Sequence, residues 1–421
     1  MRKMLIVASA LCLALVAICN AENRPNNPTP QPTDSNYTID DVWAAYEGFN
    51  KIFLDSKKYI YKHDNTYARA KDRFHGAAAI WCQPMYWNMA MDACLLAEKV
   101  GDKRRAAQYR SLVKRLYNGN RKHYAGFNFH DNNENTGWFI YDDIMWWTIA
   151  LARTHAFLGD EQSLVLAEKS FCRTFYGSKR VGDDGSYADP KRGLGGGMFW
   201  EWQPIDKPKP HRPGDFRSAC INFPTVVAAC LLSQLVPEDR QVPAEETHPS
   251  VQTRAFYLQT AKEVYRWAHE TLVQDGRVAD GIHGGGPEFN DHLYNQATYI
   301  GASCLLYRLT GERDYLNNAI LGANYVFGKM CRNGILPLET GPEQGVYCAI
   351  FAQYMRMLVY DCGQRQYLTY IRHNIETAWK NRDKATLLSD GRFSAPSVVE
   401  GKTEVYPASG LPALMLMFPA E

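Results

Sequence analysis

From Asp40 onward, apolar residues recur at intervals of three and four and seldom alternate in twos, which is the period of a helix with one buried stripe. Val42, Trp43, Tyr46, Phe49, Ile52 and Phe53 form one such stripe, with Asp40 and Asp41 placed to cap its start. A longer helix is predicted over 81–100, with Met85, Met89, Ala93, Leu96 and Ala97 on one face, and a partner over 104–117. The join between them is Val100-Gly-Asp102, and the same punctuation returns at Leu158-Gly-Asp160 and Thr310-Gly-Glu312. Glycine suits a helix end because it adopts the left-handed conformation without a Cβ clash.

The spacing of these glycines suggests a repeat. Gly101 to Gly159 is 159 − 101 = 58 residues, and Gly159 to Gly311 is 311 − 159 = 152, close to three units of similar size. A period of roughly 50–58 residues is one helical hairpin with its connection. The 421 − 39 = 382 residues from Asp40 to the end then make roughly six or seven hairpins. Hairpins repeated about an axis close into a toroid or run on as a solenoid. Unequal loops and degenerate repeats favour an all-α, closed toroid as one domain over 40–421.

The chain before that domain reads differently. Arg2 and Lys3 followed by the apolar stretch 4–18 have the layout of a signal peptide, expected over 1–21, and the stretch is short for a membrane span. Cys19-Asn20-Ala21 fits cleavage before Glu22, whereas Val16-Ala-Ile-Cys19 fits a lipoprotein box that would place a lipid anchor on Cys19. Both exits make the protein exported, to the periplasm, the cell surface or the medium. The Pro/Asn-rich run over 22–39 is an extended spacer. Nine further cysteines are scattered, several inside apolar helical runs, and most are expected to be buried thiols; export would permit one or two disulfides.

Composition narrows the function. A net charge of +2 with no basic stripe gives no reason to expect a nucleic-acid partner. The chain has 10 Trp, 25 Tyr and 18 Phe, a surplus that serves a large core or the flat walls of a sugar cleft. The Gly-rich loops 182–202 and 275–286 lack the strand before and the Lys-Ser/Thr after that a phosphate cradle requires. Cys and His do not cluster at metal-ligand spacing, and no calcium loop surrounds the acidic pairs, so neither metal nor organic cofactor is expected.

One stretch stands out chemically. Thr136-Gly-Trp-Phe-Ile-Tyr-Asp142-Asp143-Ile-Met-Trp-Trp-Thr148 sets two adjacent carboxylates in an aromatic run with no Lys or Arg. Consecutive residues on a helix point about 100° apart, so the pair could flank a cleft at a helix N-terminus, roughly 5 Å apart as a retaining glycosidase requires. The helix end would favour the ionised member, and like charge with burial would raise the pKa of the other. Trp138, Tyr141, Trp146 and Trp147 could wall such a cleft. The same pair would also serve as a plain helix cap facing solvent. Trp200 and Trp202 follow flexible glycines and could be sugar platforms or core; Asn222, Tyr294, Asn295 and Gln296 could bond sugar hydroxyls or join helices.

The stretch Trp138-Phe-Ile-Tyr-Asp-Asp-Ile-Met-Trp-Trp-Thr-Ile-Ala150 resembles the aspartate-pair motif of glycoside hydrolase family 76, the endo-α-1,6-mannanases. Gly195-Gly-Gly-Met-Phe-Trp200 resembles its Gly-Gly-x-x-Trp loop, and Tyr294-Asn-Gln296 with Gly301 and Tyr307-Arg-Leu-Thr-Gly311 its Tyr-Asn-Gln helix. Ala219-Cys-Ile-Asn222 and Tyr406-Pro-Ala-Ser-Gly410 match more weakly. The chain departs from the family at Ser218, Ala297 and Cys348-Ala349, where Asn, Gly and Lys-Gly are usual. The resemblance implies an (α/α)6 toroid and a retaining hydrolysis of α-1,6-mannan, with Asp142 as nucleophile and Asp143 as general acid/base. It implies an α-mannan or mannooligosaccharide partner, with a monomer expected. A transglycosylase acting on mannose-containing anchors and a non-catalytic mannan-binding protein are the alternatives on the same fold.

Overall fold

The computed structural model describes residues 36–131, 133, 138, 140–202, 204, 207–242, 249–399 and 401–420. The signal peptide, Cys19 and most of the spacer lie outside the described residues.

Among the described residues twelve main helices are formed: α1 Ile39–Phe53, α2 Gln83–Lys99, α3 Lys103–His123, α4 Tyr141–Leu158, α5 Glu161–Tyr176, α6 Ala219–Leu235, α7 Arg254–Leu272, α8 Leu293–Thr310, α9 Arg313–Tyr325, α10 Tyr347–Arg356, α11 Leu368–Asn381 and α12 Gly410–Met417. Each even-numbered helix packs on the next, α2 on α4, α4 on α6, α6 on α8, α8 on α10, α10 on α12, and α12 returns to α2. This is a closed inner ring of six. The odd-numbered helices lie outside it, each paired with an inner partner. Four hairpins are local in sequence, α2 with α3, α4 with α5, α6 with α7 and α8 with α9; α11 and α1 both pack on α12, and α1 joins the two ends. The expected (α/α)6 toroid is therefore present.

Inner and outer helices differ because their surroundings differ. Of the 17 residues of α6, 14 are buried, so its sequence is apolar all round. In α3, only Tyr109, Val113, Leu116 and Asn120 are buried, one stripe of a helix otherwise facing water. The first helix begins two residues earlier than a cap at Asp40 would set it, and its cap is Thr38. The Thr38 Oγ1 accepts the Asp41 N–H at 3.2 Å, and Asp41 Oδ2 accepts the Thr38 N–H at 2.8 Å, a reciprocal capping box.

Gly101, Gly159 and Gly311 all have positive φ, 76°, 68° and 74°. The interval between the last two holds two units, however, where the count suggested three. The turn between α6 and α7 begins at Val236 followed by a proline, without glycine, so the steps are 236 − 159 = 77 and 311 − 236 = 75 residues. The extra length is the long loops 177–218 and 273–292, which cross one end of the ring. The nine cysteines from Cys82 to Cys362 form no disulfide, and seven of them are buried.

Candidate active site

The two carboxylates sit at the start of an inner helix. Tyr141 is the first residue of α4, so Asp142 and Asp143 lie in its first turn, where unpaired backbone N–H groups concentrate positive potential. The segment before it is held by the Gly-rich loop: Ile140 bridges Glu201, and the Tyr141 N–H donates to the Trp200 carbonyl at 3.0 Å. A short antiparallel sheet pairs Ser218 with Gly281 and Gly281 with Glu288, which brings Asp280 to the same rim. Together these segments line a cleft of about 620 Å³ at the end of the ring, with Asp142, Asp143, Trp81, Trp200, Tyr294 and Glu343 on its walls.

The pair is electrostatically unequal. Burial raises the pKa of both carboxyls. For Asp142, burial is opposed by donors: the Cys220 thiol, the Trp200 indole N–H at 3.0 Å from Oδ1, and the backbone N–H groups of Asp143 and Asp142 itself. For Asp143, burial is reinforced by the negative charges of Asp142 and Glu343, with Arg73 opposing. A carboxylate with several donors keeps its charge more easily than one surrounded by other acids. The donors around Asp142 favour its ionised form, and the acids around Asp143 favour its protonated form.

The sequence-derived residues divide into two groups. Trp200 and Tyr294 line the cleft beside the carboxylates. Tyr294 is stacked on Tyr347, ring centroids 3.9 Å apart and planes 8° apart. Trp138, Tyr141, Asn222, Asn295 and Gln296 do not reach the cleft. Trp138 is fully buried, edge-on to Phe129 at 4.7 Å. The Tyr141 hydroxyl donates to Asp183 Oδ1 at 2.7 Å, deep beneath α4. Asn222 clips the Gly-rich loop to α6, accepting the Met198 N–H at 2.9 Å and donating to the Met198 and Ser218 carbonyls. Asn295 donates to Asp280 Oδ1 at 3.0 Å, and Gln296 holds the 273–278 hairpin through the Val278 N–H and the Gly276 carbonyl. All three side chains are buried and bonded to backbone or carboxylate partners, so they position the rim and are not themselves presented to a ligand. Trp146 and Trp147 are likewise core, and Trp202 packs beneath the Arg173 guanidinium, 4.7 Å from the ring centroid.

Several cleft residues escaped the sequence reading. Trp81 projects from the turn before α2 and lies tilted against Trp146, Tyr294 and Tyr347. Its indole N–H donates to Glu343 Oε2 at 2.5 Å. Glu343 is held at φ 66°, a left-handed conformation that costs a non-glycine residue about 1–3 kcal/mol and points to a constrained role. Burial raises the Glu343 pKa, against the indole hydrogen bond and the charges of His63 and Arg73. Asp280, Tyr347 and Tyr406 complete the wall. Asp280 lies in the second Gly-rich loop, but that loop also carries Asp275, Arg277 and His283, so polarity alone did not single it out. Glu343 follows Gly341-Pro342, a turn signal that marks a loop but not where it points.

Similarities to known proteins agree with this architecture. Similar solved structures include an inactive variant of an α-1,6-mannanase from Salegentibacter sp., with two consecutive aspartates changed to asparagine, in complex with α-1,6-mannotriose. It is 22% identical, covers 90% of this chain and 98% of its own, and has a TM-score of 0.68. A family 76 glycoside hydrolase (mannosidase) from Bacteroides thetaiotaomicron is 17% identical over 90% of this chain and 96% of its own, TM-score 0.67. Dfg5 from Chaetomium thermophilum, in complex with glucosamine, is 13% identical over 92% of each chain, TM-score 0.61. No curated protein matches. Residues 49–394 match the sequence pattern described as glycosyl hydrolase family 76, and the chain belongs to that family.

Proposed function

We propose that this protein is an exported, retaining endo-α-1,6-mannanase that hydrolyses the backbone of α-mannan and works as a monomer. The observation that carries the reading is the inequality of the two consecutive carboxylates in one cleft: Asp142 ringed by donors, Asp143 crowded by acids. That is the ionisation state a two-carboxylate glycosidase needs in its resting form. The Asp142 carboxylate attacks the anomeric carbon while Asp143 gives its proton to the departing glycosidic oxygen. Asp143 then takes a proton from the water that displaces Asp142, and the configuration is retained. Trp200 steadies the nucleophile through its indole N–H, and Trp81 with the Tyr294–Tyr347 stack offers apolar faces for sugar rings. The related Salegentibacter enzyme, inactive with two adjacent aspartates replaced, supports the assignment.

The test is digestion of linear α-1,6-mannan, with product length by chromatography and the first-formed anomer by proton NMR. The α-anomer of short mannooligosaccharides should appear first, and Asp142→Asn and Asp143→Asn should each lower the rate on the order of a thousandfold or more. A first-formed β-anomer, or full activity in either variant, would overturn the proposal.

A further inference from the structure

A second groove, larger than the cleft at about 1080 Å³, lies on the outer layer of the toroid between α5, α7 and the Gly-rich loop. Its construction is specific. Tyr187 stacks one ring face on buried Phe175, centroids 4.3 Å apart and planes 15° apart, and is itself half-buried on the groove wall. Beside it, the exposed Glu263 carboxylate is held at both oxygens, by the Gln259 amide at 2.7 Å and the Tyr187 hydroxyl at 3.5 Å. Glu270 continues the same face of α7 two turns on. The opposite wall is backbone: Gly196 and Gly197 lie flat on Trp267, where a Cβ on Gly197 would come within 2.2 Å of the ring.

We propose that this groove is a second saccharide-binding site for the same neutral mannan chain that the cleft is proposed to cut; it therefore rests on that function. A flat ring backed on one side, next to a fixed carboxylate and amide, is what stacking on a pyranose and accepting its hydroxyls requires. The titratable lining is four acidic against three basic side chains, a near balance that suits an uncharged polymer and gives no field for a polyanion. The groove also shares a segment with the active site. Gly195, Gly196 and Gly197 form its wall, and Trp200, three residues on, bonds Asp142. A long chain held there is kept close to the catalytic cleft, which raises its effective concentration without any new catalytic contact.

The test compares Tyr187→Ala and Glu263→Ala with the wild type on two substrates, linear α-1,6-mannan and α-1,6-mannotetraose, with thermal melts confirming the fold. Glu263 is exposed, so its variant keeps the test valid should Tyr187→Ala not fold. The site requires kcat/KM on the polymer to fall about fivefold or more, through KM, while the tetraose rate stays within about twofold. Unchanged polymer kinetics, or equal losses on both substrates, would overturn the second site and leave the proposed function standing. Wild-type protein that cleaves neither substrate would overturn the function and this site with it.

Discussion

Asp142 and Asp143 are neighbours in sequence with different surroundings, and the difference has a consequence for stability. Both have raised pKa values in the fold, so between the ordinary carboxylate pKa near 4 and the raised ones the folded chain binds more protons than the unfolded chain. Unfolding free energy therefore falls as pH rises through that window: the pair is tolerated at low pH and destabilises increasingly as Asp143 is forced to ionise beside Asp142. Asp143→Asn removes this term. Its melting temperature should match the wild type near pH 4 and exceed it by a widening margin toward pH 8, as followed by circular dichroism. A gap that is constant with pH would contradict the ionisation scheme. The proton assignment was not legible in the sequence, because it depends on Trp200, Cys220 and Glu343, which are distant along the chain.

At the scale of elements, the start of α4 is set by what lies beneath it. Asp183, from the loop after α5, accepts the Tyr141 hydroxyl and pairs with Arg173 at 2.8 Å, with both side chains of the ion pair wholly buried. Removing one partner leaves an uncompensated charge in the interior, a loss of about 3–5 kcal/mol. Asp183→Ala should cost that much in urea denaturation, and because Tyr141 adjoins Asp142, the proposed nucleophile, the proposed mannan cleavage should fall too. Asp183→Asn, which keeps one acceptor for Tyr141, should lose less of both. Tyr141 was a candidate binding residue in the sequence because it stands inside the motif. The structure makes it a strut, since a first-turn residue one position before Asp142 points about 100° away from it, into the core.

At the scale of the whole molecule, the ring is closed by its ends. Helix α1 buries Trp43, Tyr46, Phe49 and Phe53, packs on α12, and Tyr37 hydrogen-bonds the Phe418 carbonyl at 2.5 Å. Each lost aromatic contact is worth about 3 kcal/mol, so four amount to about 12 kcal/mol, comparable to the about 5–15 kcal/mol that holds a domain together. A chain beginning at Leu54 should therefore lose its cooperative thermal transition and its near-ultraviolet dichroism, although the four local hairpins remain intact in sequence. A sharp transition near the full-length temperature would show that ring closure is not required.

What the sequence determined by itself follows from local physics. Helical periodicity, the glycine stops at Gly101, Gly159 and Gly311, and the aspartate pair in an aromatic run are properties of residues a few positions apart, and each was readable before any fold was known. Unit size failed between Gly159 and Gly311 because the long loops 177–218 and 273–292 lengthen each unit, while the intervening turn at Val236 and a proline carries no glycine to mark it. The tertiary structure alone decided which aromatic and amide side chains face the cleft. Trp138 and Trp200 are equally apolar, and Asn222 and Tyr294 are equally able to bond a sugar. Burial of Trp138 against Phe129 and the backbone clip at Asn222 arise from contacts between distant segments, which composition and spacing do not encode. The same holds for Trp81 and Glu343, 262 residues apart and joined by one hydrogen bond across the mouth of the cleft.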